Sequence, residues 1–445
     1  MRKKLTWAAL ALAGLLIVFV ASTVTTVIDE PLEQTAYYQR TMQRLDDFTP
    51  ATNGDTVQVG WAKVNLAPAY PTPIAIDAHR DGNFEKVLDS VYVRAFVFDN
   101  GTQKAAYVTL DMLIFPPTVT AVLNDSLAGT GYSLNNTFLT ATHTHSSFGA
   151  WAPGIIGETF AGEYDPAIVA HIAHCVTLAI RKASMDMDKA QIGFNKMDCR
   201  ELVYNRLLND STNTDPWLRY IRITRDDGKN AIIANFAAHA TYLHDSIMKL
   251  HRDYPGHLVD YLERMASIDF AAFGAGAMGS MGPVYQEKGP WLGIEQMAAD
   301  LYYKVMQSWN NTPMNYLTQL NTLHLPVDLG EQQMRLNNSL RLRPWVVKRV
   351  FDETPHFMKG LRLGNTVLIG TPCDFSGELV AELDSFASSN GLDLMVHSFN
   401  GDFVGYITHD DHYHLNAYET RTMNWFGPHN GRYFQEIIKK MIDHI

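Results

Sequence analysis

The sequence predicts an α/β protein, a single large mixed-sheet domain with flanking helices behind an N-terminal transmembrane or signal helix. Three observations predict it. Apolar and β-branched runs alternate at strand period and break at Asn-Gly and Asp-Gly turns. Capped stretches with helical spacing lie between those strands. An uncharged run directly follows a basic N-terminus.

Met1-Arg2-Lys3-Lys4 opens the chain, and the uncharged run extends from Leu5 to about Val24. About 20 residues at about 1.5 Å each give about 30 Å, enough to cross a bilayer. The basic flank sets the N-terminus on the cytoplasmic side and the bulk of the chain outside. Residues 1–27 are therefore a signal anchor, which the length favours, or a signal peptide cleaved near Val20-Ala21-Ser22. The domain is expected outside the cytoplasm, periplasmic or extracellular. It is membrane-anchored if the helix is kept and secreted if it is cleaved. Residues 28–56 read as a stalk or linker helix, or an early packing element, with Tyr37, Tyr38, Met42 and Leu45 at helical spacing. Residues 57–445 read as one catalytic-sized domain.

Strands are expected over 57–64, and over 91–98 and 105–110 around Asp99-Asn100-Gly101. Another is expected over 137–140. Asp165 caps a helix with Pro166 in its first turn and Ile168, Ile172 and Val176 as its apolar stripe. His171 and His174 on that helix read as core or surface residues rather than ligands. A strand pair over 218–224 and 230–238 leads into His239. The small-residue stretch 273–282 permits close backbone approach and is a poor helix. A helix follows over 295–306, then a strand over 365–369 that ends in Gly370-Thr371-Pro372-Cys373-Asp374. An amphipathic helix over 433–442 closes the chain.

Composition excludes some functions. The 445 residues are 46% hydrophobic and 19% charged, ample for a large core. A formal net charge of -11 argues against nucleic-acid binding through a basic surface. The three cysteines form no CxxC pair, which argues against a thiolate zinc site. Whether Cys175 pairs with Cys199 is left open, as is the oligomeric state.

The chemistry centres on Thr142-His143-Thr144-His145-Ser146, directly after the strand over 137–140. Two histidines at i and i+2 on an extended segment point to one side, about 6–7 Å apart. They are either a hydrogen-bonded pair or a metal or catalytic pair. His239, Asp374 and Tyr406 also sit at strand ends. Two imidazoles and a carboxylate from distant strands make a normal catalytic zinc set with positions left for water. There is no HExxH helix. His409, Asp410, Asp411, His412 and His414 read as a solvated loop rather than a second metal cluster.

Several segments together resemble the neutral/alkaline ceramidase family. VGWAKVNLAP resembles its opening strand, and VYVRAFVFDNG with AAYVTLDM its first hairpin. ATHTHSSFGAW resembles its HTHSGPGG signature, NFAAHAT its second metal-histidine segment, and GAMGSMGPV its serine loop. GTPCDFSGEL and GDFVGYITHDDHYHLNAYETRTMNWFGP resemble its last two active-site segments. The matches run from about residue 57 to 429 in the family's order.

This resemblance implies Zn2+ held by His143, His239, Asp374 and Tyr406. His145 would be a proton donor or shuttle facing the reacting carbonyl. Ser280 would be the nucleophile or a group bonded to the zinc-side water. Arg206, in the Asn205-Arg206 pair, would stabilise the oxyanion, and Tyr418 would contact substrate. The implied reaction is hydrolysis of the N-acyl (amide) bond of ceramide or a related N-acyl lipid, releasing fatty acid and a sphingoid base. The partners are then an amphiphilic, ceramide-like lipid and, through the N-terminal helix, a membrane.

Four departures are visible. Asp374 replaces the family's glutamate. Ser146-Ser147-Phe148-Gly149 replaces Gly-Pro-Gly. The serine loop lacks Asp-Val before Ser280 and Pro after it. The chain stops soon after the last motif, so the family's immunoglobulin-like domain is expected to be missing. The alternative readings are an amidase or esterase on another amphiphilic or cell-envelope substrate, and a lipid-binding relative without turnover.

Overall fold

The computed structural model describes residues 2–51, 53–75, 80, 82–243, 247–265, 268–285, 289–349 and 355–445. The apolar N-terminal run is helix α1 (Arg2–Thr23), whose Lys4–Thr23 stretch is long and apolar enough to cross a membrane and is not buried by the rest of the chain. It passes without a linker into strand β1 (Val24–Thr26). Helix α2 (Ala36–Asp46), in the segment expected as a stalk or packing element, lies on the body and buries Thr41 and Leu45. The ring of Tyr37 meets Tyr433 edge-on at 5.3 Å, and Tyr433 donates its hydroxyl proton to Thr41 at 2.9 Å.

The body is a sandwich of two mixed sheets between two helical layers. The larger sheet takes β2 (Gln58–Asn65), β3 (Tyr92–Asp99), β4 (Lys104–Leu110), β5 (Thr137–Ala141), β6 (Met187–Asp198), β7 (Trp217–Arg225), β8 (Asn230–Phe236) and β9 (Phe270–Ala275). Their spatial order is β9-β8-β7-β6-β2-β3-β4-β5. A ninth, short strand (Asn315–Tyr316) pairs with β6. Both sequence-read hairpins form antiparallel pairs, β3 with β4 and β7 with β8. At the first, the Gly101 amide donates to Asp99, which is why the small turn residues close it.

Helices α3 (Pro117–Ser126), α5 (Pro166–Ser184), α6 (Asp253–Met265) and α7 (Pro290–Trp309) cover the outer face of this sheet. A shorter helix, α4 (Gly154–Ala161), lies between α3 and α5 in the chain. Asp165 caps α5 as expected, accepting from the Ala167 amide at 2.8 Å, and Ile168, Ile172 and Val176 are buried. Alternation along the strands divides the side chains: Val93, Ala95 and Val97 face the helices, and Phe96 and Phe98 face inward.

The inward face meets a second sheet of four strands, ordered β10 (Leu320–Pro326), β12 (Phe357–Leu363), β13 (Thr366–Gly370) and β14 (Asp393–His397). Strand β11 (Leu340–Leu342) lies outside it and pairs with β1. Phe96, Tyr107 and Phe138 pack between the sheets with Leu361, Leu368 and Met395. Each such side chain contributes about 1.5–3 kcal/mol by leaving water. Helices α8 (Val380–Ser389), α9 (Asn430–His444) and α2 cover the outer face of the small sheet. The sequence reading of one sheet with flanking helices thus holds for the larger sheet, and the second sheet is additional. Cys175, Cys199 and Cys373 are buried and free, so no bridge joins Cys175 to Cys199.

Candidate metal centre and active-site cleft

Four loops converge where strands of both sheets end. The chain leaving β5 carries His143 and His145, and the chain leaving β8 carries His239. The chain leaving β13 carries Asp374, and the chain leaving β14 carries Tyr406. Asp374–Phe375 and Tyr406–Ile407 then form a two-residue parallel ladder in which Asp374 stands opposite Tyr406. Two glycines permit this approach. A Cβ on Gly279 would lie 2.5 Å from the Asp374 carbonyl oxygen, and Gly405 adopts φ 83 beside Tyr406.

The paired histidines meet in a different way from the one the sequence suggested. The strand ends at Ala141, and His143 lies in the left-handed region at φ 61. A turn, not a pleat, brings the Nε2 atoms of His143 and His145 to 3.2 Å. The His143 ring is clamped by Phe399, stacked at 4.2 Å between centroids. Backbone held this way is costly and persists where the surroundings fix it.

Backbone carbonyls choose the tautomers. His143 Nδ1 bonds the Leu113 oxygen at 2.6 Å, and His239 Nδ1 bonds the Met281 oxygen at 2.8 Å. A carbonyl accepts only, so each Nδ1 carries the proton and each Nε2 turns a lone pair to the centre. Both Nε2 atoms face Asp374 Oδ1, at 3.7 Å from His143 and 3.5 Å from His239. That oxygen is buried and has no hydrogen-bond partner. Tyr406 places its hydroxyl 3.4 Å from His239 Nε2.

His143, His145 and His239 thus form a group positioned to bind a metal ion, their ligand atoms all within 4.8 Å of one another. The orphaned Asp374 oxygen and the lone pairs aimed at it are what a divalent cation requires. Among the described residues no second such group occurs. The loop at 409–414 is tied by ordinary bonds: Glu378 accepts from the His409 amide at 2.9 Å, and Asp410 accepts from the Gly431 amide at 2.8 Å. His171 likewise reaches a backbone oxygen, that of Leu66, at 3.2 Å.

Burial disfavours charge on the histidines, Asp374 and Tyr406. Burial pushes His143 down to about 3. Burial, reinforced by neighbouring imidazoles and Arg206, holds His145 and His239 well below the usual histidine range. Burial also raises the Asp374 carboxyl and the Tyr406 phenol well above their ordinary values, with Arg206 opposing. Burial works against the Arg206 charge too, but Tyr406, Glu419 and Asp374 more than compensate. Arg206 donates to the Tyr406 hydroxyl at 3.1 Å and to Glu419 at 2.8 Å.

Ser280 is fully buried beside the centre. Its Oγ accepts from Ser376 Oγ at 2.8 Å, and its carbonyl accepts from the Arg206 amide at 2.8 Å. Tyr418 stands at the mouth, 46% exposed, its ring 5.6 Å from that of Tyr406. A cavity of about 230 Å3 opens outward from His143, Asp374 and Tyr406 between Leu113, Trp151, Ile156, Phe160, Phe403 and Trp425. One end is polar and ligand-bearing, and the walls are apolar and aromatic.

Sequence reasoning missed Glu419, Ser376 and the two backbone carbonyls. Glu419 directly follows Tyr418 in a segment already singled out, so adjacency was a usable signal. The carbonyls of Leu113 and Met281 have no signature in residue type.

Comparison with known proteins follows the same lines. None of the curated proteins matches the sequence. Among solved structures, the fold is similar to neutral ceramidase from Pseudomonas aeruginosa, with a TM-score of 0.76 at 15% identity, covering 88% of this chain and 74% of that one. It is also similar to a ceramidase complexed with C2, with a TM-score of 0.74 at 15% identity, covering 87% and 75%. The family description "Neutral/alkaline non-lysosomal ceramidase, N-terminal" matches residues 83–286. That span, 204 of the 445 residues, holds His143, His145, Arg206, His239 and Ser280, and the fold is similar to that of the two ceramidase structures.

Proposed function

We propose that the protein is a zinc-dependent amidohydrolase that cleaves the N-acyl bond of ceramide or a closely related N-acyl lipid, releasing fatty acid and a sphingoid base. The observation that carries the reading is the unpartnered Asp374 oxygen facing two lone-pair-bearing imidazoles at the floor of an apolar cleft. His143, His239, Asp374 and Tyr406 would hold the ion, with His145 near enough to complete the set or to serve the reaction. Bound zinc supplies hydroxide near neutrality by lowering the pKa of its water to about 7.

The chain's own residues do the rest. The apolar walls take the hydrocarbon of an amphiphile and exclude water from its amide. Arg206 keeps a fixed positive charge beside Tyr406, where an attacked carbonyl oxygen would gain negative charge. His145, neutral at working pH, can take up a proton and return it to the leaving amine, which cannot depart as an anion. Tyr418 at the mouth meets the polar part of the substrate. Among the described residues no imidazole is hydrogen-bonded to Ser280 as a base, which favours water as the nucleophile and a positioning role for Ser280. Residues 1–27 would tether residues 57–445 outside the cytoplasm.

The test is metal analysis of the purified protein, then assay of short-chain ceramide before chelation, after chelation and after zinc is restored. Cleavage lost with the chelator and regained with zinc is the expected result. Bound zinc without ceramide cleavage would move the reading to another amphiphilic amide or ester. A protein that binds no metal would leave only a lipid-binding role.

A further inference from the structure

The hairpin 333–343 is bonded to two places at once. On one side it takes the end of α1. Strand β11 pairs with β1, placing Val24 opposite Leu342 and Thr26 opposite Leu340. The last carbonyls of a helix have no partners within it. Here the body supplies them. The Arg343 amide donates to the Thr23 oxygen at 2.8 Å, and its Nε donates to the oxygens of Ala21 at 3.2 Å and Val24 at 3.1 Å. Trp345 Nε1 donates to the Ser22 oxygen at 2.9 Å. A guanidinium at a helix C-terminus is also favoured by the helix dipole.

On the other side the hairpin holds the rim of the cleft. The Gln333 amide donates to the Trp425 oxygen at 2.6 Å. The Gln333 side chain bonds both the amide and the oxygen of Ile28, at 2.6 and 2.8 Å, and the Gly427 oxygen at 2.6 Å. Arg335 donates to the Thr420 oxygen, and Asn338 accepts from Arg421. Residues 418–425 are the wall that carries Tyr418, Met423 and Trp425 into the cleft.

We propose that this hairpin is a membrane-seated brace: with Arg343 and Trp345 in the lipid headgroup layer, it fixes the cleft rim against the bilayer that α1 crosses. The enzyme then takes lipid substrate from its own bilayer. Trp345 stands at the end of the spanning segment and is 47% exposed, with Arg349 5.3 Å from its ring. An amphipathic indole next to guanidinium groups suits the interface between headgroups and hydrocarbon. A flexible tether would raise local concentration without orientation. Here no linker intervenes between the helix and β1. The brace also gives α1 a folded role that cleavage at Ala21 or Ser22 would remove. This inference rests on α1 as a retained span, and its effect on turnover rests on the lipid-amidase reading.

The test uses the full chain reconstituted in phosphatidylcholine–phosphatidylglycerol vesicles. The native thiols are buried, so a fluorophore can be placed selectively at Trp345→Cys and, for comparison, at Met185→Cys, a position 83% exposed at the end of α5. Lipids brominated near the headgroup should quench the first probe and leave the second unchanged, and equal quenching would overturn the placement. This readout needs no turnover, so its failure is distinct from failure of the amidase reading.

Arg343→Ser combined with Trp345→Ala, and separately Thr25→Pro, should lower cleavage of ceramide embedded in the same vesicles about tenfold. Cleavage of detergent-dispersed short-chain ceramide should stay within about twofold of the parent. Equal losses on both substrates, or none on either, would overturn the brace.

Discussion

The two sheets give the site different chemistry. Segments leaving the nine-stranded sheet bring the nitrogens of His143, His145 and His239. Segments leaving the four-stranded sheet bring the oxygens of Asp374 and Tyr406. On the nitrogen side, backbone carbonyls set the tautomer and direction of His143 and His239. The oxygen side has no such carbonyl partners, and it depends on burial and on the Arg206 charge. His143 and His239 are thus held in one protonation pattern by their carbonyl partners, while burial favours the protonated forms on the oxygen side.

The largest test removes the nitrogen side. His143→Ala and His239→Ala should each abolish metal retention and reduce turnover about 1,000-fold or more, with the circular dichroism spectrum retained. Normal turnover in either variant would break the assignment. Next is the charge that serves the oxygen side. Arg206→Lys keeps the charge but cannot reach Tyr406 and Glu419 together, and it should cost about 100-fold in kcat with KM little changed.

A pH titration of the chelated protein sharpens the contrast between the sides. His143 and His397 are buried with values pushed down to about 3, so the unfolded chain binds their protons first. Their contribution is fully present above about pH 6.5 and is lost as the pH falls from there towards about 3. Each costs about 1.4 kcal/mol per pH unit in that window. Thermal melts between pH 7.5 and 4.5 should fall steeply without metal and less steeply with zinc. A flat chelated profile would contradict the buried neutral imidazoles.

Smaller effects are expected further out. Glu419→Gln should loosen Arg206 and lower kcat about tenfold, with metal content unchanged by elemental analysis. Ile156→Ser, in the cleft wall, should raise KM for long-chain substrates about threefold and leave short-chain substrates alone.

Much of the nitrogen side was legible in the sequence. Strand 137–140 ran directly into His143, and strand 230–238 into His239, each at nearly its observed boundary. Asp374 and Tyr406 were read as strand-end residues and given a ligand role only through the likeness of their segments to a family, because two-residue ladders leave no period to detect. The turn at His143 was misread as extended, since its left-handed backbone is imposed by tertiary contacts and not by residue type. Strand β6 passed unnoticed because its twelve residues are half-buried and carry lysines, aspartates and a glycine. The second sheet was under-read for a similar reason: β10 and β12 carry His324, Lys359, Gly360 and Arg362, which blur the alternation.

The short ladder opposite the histidines has a consequence for how the chain assembles. Asp374 sits across from Tyr406, and the next rung is Phe375 against Ile407. Side chains on neighbouring rungs point to opposite faces, so a slip of one residue would turn a hydrocarbon toward the imidazoles. A misassembled copy would no longer present the Asp374 and Tyr406 oxygens to the histidines. Correct register of this ladder thereby decides whether the last third of the polypeptide presents its oxygens to the imidazoles carried by the first two thirds.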